Sequence, residues 1–167
     1  IGVRLVGSEM CIRDSNYHEY SYGPVLLPDG QMLVTLNLGW EGYGVSASKW
    51  RGWMLKVSQD GQVTPYATGL RSPAGFGVNA EGDVFYTENQ GDWVGSGRMT
   101  HLKLGDFAGN PAGLRWSGEI GSPVNLKVED IDDTEKISLY DYQHKLEGIK
   151  APSIWFPHTL MGISTSD

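Results

Sequence analysis

Three short stretches hold the side chains best suited to chemistry. The first is the run Asn16-Tyr17-His18-Glu19-Tyr20-Ser21-Tyr22-Gly23. An imidazole titrates near neutral pH, so His18 can take a proton from a hydroxyl; the alternative is a ring stacked among Tyr17, Tyr20 and Tyr22 to hold a loop. The second is Gly69-Leu70-Arg71-Ser72-Pro73-Ala74-Gly75. The fixed fork of donors on Arg71 suits a carboxylate or quinone oxygen, or a surface ion pair. The third is Glu88-Asn89-Gln90-Gly91-Asp92. Its amides, carboxylates and backbone carbonyls are oxygen donors of the kind Ca2+ takes, and they equally suit a polar turn.

Other candidates carry less. His101 and His144 show no ligand spacing, and Gly39, Gly42 and Gly44 do not link a parallel strand to a helix as a dinucleotide loop requires. The run Glu129-Asp130-Ile131-Asp132-Asp133-Thr134-Glu135 has five acids in seven positions but lacks the Asp-x-Asp-x-Asp-Gly calcium loop, so it reads as a solvated loop or short helix. Trp40, Trp50, Trp53 and Trp93 suit stacking on sugars or filling a core.

The elements that must position these residues are strands. Pro28-Asp29-Gly30-Gln31-Met32-Leu33-Val34-Thr35-Leu36-Asn37 is echoed by Ala80-Glu81-Gly82-Asp83-Val84-Phe85-Tyr86-Thr87-Glu88-Asn89, with Gly30 and Gly82 separated by 52 positions. A period near 50 residues marks propeller blades. An acid followed by glycine at a two-residue turn signals a hairpin, because glycine accepts positive φ. A third hairpin turns at Asp60-Gly61, so one period holds four strands, the plan of a blade. Another pair is expected from Met99–Lys103 onward. No window of this stretch shows the i, i+3, i+4, i+7 pattern of a helix.

Composition agrees with this reading. The chain has 167 residues, 40% hydrophobic and 20% charged, with 23 Gly, 6 Trp and 8 Tyr. That favours short strands and tight turns around a core. A net charge of −7 argues against a nucleic-acid surface and against docking on an anionic membrane. No apolar run is long enough to cross a bilayer.

Residues 1–15 stand apart, because 5–15 resemble a translated sequencing-adapter read and are set aside as a non-native leader. They contain Cys11, the single cysteine, so the remainder holds no thiol. Poor packing of this leader against the rest is the expectation. Residues 16–167 are expected to form an incomplete β-propeller, with an acidic insertion between blades at about 117–150 and a further blade starting at Pro152-Ser153-Ile154-Trp155-Phe156. Two to three blades cannot close a ring of four to eight. The parent protein is therefore expected to continue in both directions, and the fragment alone to be unstable or to associate, and to be inactive.

These motifs, in this order, resemble the quinoprotein glucose/sorbosone dehydrogenase group. His18 lies ten residues before Pro28-Asp29, Arg71-Ser72-Pro73-Ala74-Gly75 matches an Arg-Asn-Pro-x-Gly motif except at Ser72, and Gln90-Gly91 matches a Gln-Gly calcium loop. Gly105-Asp106-Phe107-Ala108-Gly109-Asn110-Pro111 is a looser version of a Gly-Asn-Tyr-Gly-Trp-Pro segment. Trp93 and Val94 replace acidic residues expected in the calcium loop. The resemblance implies a six-bladed ring in which His18 is the base and Arg71 polarises a quinone oxygen. It implies pyrroloquinoline quinone (PQQ) as cofactor at Arg71 and Gln90, and Ca2+ at Asn89, Gln90, Gly91 and Asp92. It further implies a sugar or other alcohol as substrate, an electron acceptor such as a cytochrome, and a periplasmic or secreted location. Two other readings stand beside it. One is a non-catalytic propeller that binds carbohydrate or a partner protein. The other is a lactonase-type calcium hydrolase, for which Asn37, Glu88 and Asn89 are too few ligands.

Overall fold

The computed structural model describes residues 19–38, 48–90, 94–131, 139–142 and 145–162. The leader, His18, Trp40, Gly91, Asp92, Trp93 and His144 lie outside the described residues. The chain is all-β, with two four-stranded antiparallel sheets that are successive blades of a partial propeller. The first sheet runs β1 (Ser21–Leu26), β2 (Met32–Leu36), β3 (Trp53–Val57), β4 (Val63–Thr68). The second runs β5 (Gly75–Val78), β6 (Val84–Glu88), β7 (Gly97–Leu102), β8 (Ile154–Phe156).

The three expected hairpins are present. Gly30, Gly61 and Gly82 hold φ of 81°, 83° and 88°, a region that a Cβ makes costly. The repeat survives in the register. Leu26 pairs with Met32 and Val78 with Val84, so both strands keep the 52-residue offset there. Nearer the start of each blade, Tyr22 pairs with Thr35 and Gly75 with Thr87. There the first strands are offset by 53, because β1 carries a bulge between Tyr22 and Val25 that β5 lacks. The same interval of 53 separates His18 and Arg71 in sequence, although His18 lies outside the described residues.

The main core lies between the blades, where Leu33, Met54 and Ala67 meet Val84, Tyr86 and Leu102. Each inward residue alternates with a less buried neighbour, as along β6 from Val84 to Glu88.

The structure moves the acidic insertion. Ile154 pairs with Met99 and Phe156 with Gly97, so β8 completes the second sheet rather than opening a third. The stretch at about 117–150, expected between blades, lies between the third and fourth strands of one blade. Its length obscures the pairing in sequence, yet loop closure grows costlier only slowly with length.

The connection from β7 to β8, of which the insertion is part, also reaches the first blade. Phe107 runs parallel to Thr68 at the end of β4 and Ile149 runs parallel to Phe107. Bonds from Thr68 N to Asp106 O (3.0 Å), Ala108 N to Thr68 O (2.8 Å) and Asn110 N to Gly69 O (3.0 Å) occupy the outer edge of that blade. Leu114, Val124 and Ile131 then pack on Trp53 and Leu55. The Thr68 end of an edge expected to be open is therefore covered, while Val63 at its start stays exposed, which shortens one template for edge-to-edge association.

Buried tyrosines give the fold an alkaline limit. Burial pushes the hydroxyl of Tyr86 well above its ordinary range, and burial, with Asp106 and Asp83 nearby, pushes Tyr66 up as well. In the unfolded chain both release a proton near pH ~10. Above that value the unfolded state binds fewer protons than the folded state, so stability falls with rising pH. Melting temperatures should hold steady up to about pH 9 and drop between about pH 10 and pH 11, with a shallower drop in Tyr86→Phe. A flat profile across that window would contradict the assignment.

Candidate functional site

One end of both sheets gathers Arg71, Asn89 and Gln90 among the described residues. The antiparallel order places the starts of β1, β3, β5 and β7 there, together with the ends of β2, β4 and β6. Backbone bonds stitch this end across the blades. Asn37 N donates to Tyr20 O at 3.1 Å and Leu38 N to Arg71 O at 2.9 Å. Thr35 Oγ1 donates to Pro73 O at 3.0 Å. The segments leading into β1 and β5 are thus both tied to the end of β2.

Arg71 is half-buried, and its Nη1 donates to the backbone oxygen of Gln90 at 3.4 Å. Two stretches selected independently from sequence therefore meet. Asn89, also half-buried, precedes Gln90 on the same loop and has an interaction partner of its own. Gly91 and Asp92 of the expected metal set, and the base His18, fall outside the described residues. Glu19, the neighbour of His18, is buried at this end.

Two buried ion pairs underlie the arrangement. Glu88 and Arg98 are each 1% exposed, with Arg98 Nη2 at 2.6 Å from Glu88 Oε2. Arg98 also donates from Nε to the Tyr86 hydroxyl at 3.1 Å and from Nη2 to Ala108 O at 3.3 Å. Glu88 Oε1 accepts the backbone N–H of Arg71 and of Ser72. In the first blade, Arg51 Nε lies 3.4 Å from Glu19 Oε2, while Arg51 Nη1 donates to Tyr20 O at 2.8 Å. Charges removed from water in this way need partners on every side; Glu88 and Arg98 have them, whereas the Glu19 carboxylate faces Arg51 as an ion pair but accepts no hydrogen bond among the described residues.

Comparison with models of known protein families gives no match, and no curated protein matches by sequence. Among solved structures, one described as "Crystal structure of glucose dehydrogenase" aligns with a TM-score of 0.49 at 13% identity, covering 80% of this chain and 38% of that one. This chain therefore spans well under half the length of that protein.

Several candidates resolve into structural roles. Trp53 is fully buried and donates from Nε1 to Gly113 O at 2.7 Å, so it fills the core and cannot stack on a sugar. Trp50 packs edge-on against it at 5.0 Å. His101 lies on the far face of the second blade, stacked on Phe85 at 5.0 Å and 3.3 Å from Asp83. Both carboxylate oxygens of Glu88 are committed, which removes it from any ligand set.

Sequence reasoning missed both ion pairs. A signal existed for one. Glu88 stands 52 positions after Leu36, so the repeat carries an acid where its other copy has a leucine. Its partner Arg98 follows ten residues later on β7, and only the β6–β7 register, Glu88 opposite Arg98, brings them together. A cavity of about 440 Å³ lies in the connection between β7 and β8, lined by Gly105, Pro123, Val124, Asn125, Leu126, Glu147 and Gly148, and neither Arg71 nor Gln90 lines it.

The described residues fit part of the cofactor set. A half-buried guanidinium beside a polar loop fits a quinone carbonyl or a carboxylate. The Gln90 backbone oxygen fits Ca2+ poorly, because Arg71 already donates to it and a divalent ion on the same oxygen would sit beside a fixed positive charge. Among the described residues, no three His, Cys, Asp or Glu side chains gather as metal ligands.

Proposed function

We propose that this chain is part of a β-propeller oxidoreductase similar to the glucose/sorbosone dehydrogenases, acting on a sugar or other alcohol with PQQ as cofactor. The observation that carries the reading is the contact of Arg71 with Gln90. These are the family-like arginine and the Gln-Gly loop, and they meet at the blade end where the segment after His18 also lies. In this reading Arg71 donates hydrogen bonds to an oxygen of the quinone and stabilises negative charge there. His18, one blade earlier at the position matching Arg71, takes the proton of the substrate hydroxyl. PQQ, when bound, supplies the acceptor for the hydride leaving the same carbon. Ca2+ is proposed at Asn89, Gly91 and Asp92, with Gln90 contributing through groups other than the oxygen that Arg71 holds.

A second reading has its own observation. Tyr20 is 52% exposed at the same end, 6.3 Å from Tyr22 between ring centroids. Exposed aromatic rings at a channel mouth suit stacking on carbohydrate without chemistry.

Titration of the chain with PQQ, followed by quenching of tryptophan fluorescence, tests the first reading. Arg71→Ala should weaken binding by about tenfold or more, the loss of one charge-assisted hydrogen bond. Equal affinity in the variant removes the oxidoreductase reading and favours the carbohydrate module, which glucose-oligomer titration then tests.

A further inference from the structure

We propose that Glu88, held by Arg98, is a positioning residue that fixes Arg71 in the orientation in which its guanidinium meets a planar carbonyl or carboxylate ligand. The inference rests on the reading of Arg71 as the ligand-binding group, and it extends that reading to residues that touch no ligand.

The geometry is specific. One carboxylate oxygen accepts two successive backbone N–H groups, those of Arg71 and Ser72. The other is held by Arg98, itself anchored on Tyr86 and Ala108. The carbonyl of Arg71 is held from the opposite side by Leu38 N of the first blade. Both ends of one residue are therefore pinned, one by each blade. Pro73 narrows the conformations open to Ser72, and Thr35 holds the Pro73 carbonyl.

Stability alone gives little reason for this arrangement. Buried ion pairs contribute little net stability relative to apolar residues of similar size. At the position that repeats as Glu88 the first blade carries Leu36, which is half-buried, so the repeat itself does not require an acid there. What the carboxylate adds in the second blade is a pair of acceptors for the peptide that carries Arg71. A guanidinium whose backbone is already fixed loses less freedom on binding a ligand, which is how a supporting shell sharpens a site.

Arginine reactivity towards phenylglyoxal, mapped by peptide mass spectrometry on the 167-residue chain, reads the orientation directly. In Glu88→Ala, Arg71 should react about fivefold faster, the factor equivalent to one lost net hydrogen bond, while Arg115 keeps its rate. Glu88→Gln/Arg98→Met retains an acceptor oxygen without stranding a charge, and Arg71 should return to the wild-type rate. An unchanged Arg71 rate in Glu88→Ala, or equal acceleration at Arg115, overturns the proposal. Should Glu88→Ala fail to fold, hydrogen exchange of the wild-type chain decides. The Arg71 and Ser72 amides should be protected by about 10²-fold or more, and fast exchange there overturns the assignment. The PQQ titration fails separately: Arg71→Ala binding PQQ like the wild type removes the cofactor reading and leaves the reactivity result standing.

Discussion

Replacing Arg98 by methionine should lower the unfolding free energy by about 3 kcal/mol, towards the lower end of what breaking a buried ion pair costs. Glu88 would keep the Arg71 and Ser72 amides as donors but lose its only ion-pair partner shown, in a site 1% exposed. For a domain of this size the melting temperature should fall by roughly 6–12 °C. The cause is checked by the double variant. Arg98→Met/Glu88→Gln removes the stranded charge and should recover part of the loss, because an uncharged pair of similar shape is tolerated where a lone charge is not. Thermal melts of both variants, followed by circular dichroism, make the comparison. If the double variant melts no higher than the single one, packing of the Arg98 stem against Tyr86 dominates instead.

The second large effect concerns chemistry. In the oxidoreductase reading, His18→Gln should reduce turnover by about 10²–10⁴-fold, the usual contribution of a general base. Glutamine keeps a hydrogen-bonding side chain of similar reach but cannot accept a proton near neutral pH. PQQ affinity should persist, since Arg71 carries the contact to the quinone oxygen in this reading. The assay pairs sugars with an artificial electron acceptor after loading with PQQ and Ca2+. Unchanged turnover would assign His18 to holding the tyrosine-rich loop.

The two predictions draw on different information. Position 18 was chosen from its spacing to Pro28-Asp29, and the register supports that spacing only up to Tyr22. The bulge between Tyr22 and Val25 makes the first strand of the first blade one residue longer than that of the second. Arg98, in contrast, drew no notice in sequence. An arginine ten residues after a glutamate has no meaning until β6 and β7 pair.

Sequence by itself determined the strands, the three hairpins, the 52-residue repeat and the all-β class. These depend on local properties: glycine at positive φ after an acid, and alternation of apolar side chains over four or five residues. It also singled out Arg71 and the loop Glu88-Asn89-Gln90-Gly91-Asp92, because a guanidinium fork and a run of oxygen donors are side-chain types suited to ligands. Only the tertiary structure decided which strand closes the second blade, that the acidic stretch lies within that blade, and that Trp53 is core. It alone joined Glu88 to Arg98 and Arg71 to Gln90. Each of these is a contact between segments whose separation along the chain leaves no periodic trace. Burial and strand register, which arise only when the blades pack, are what bring such segments together.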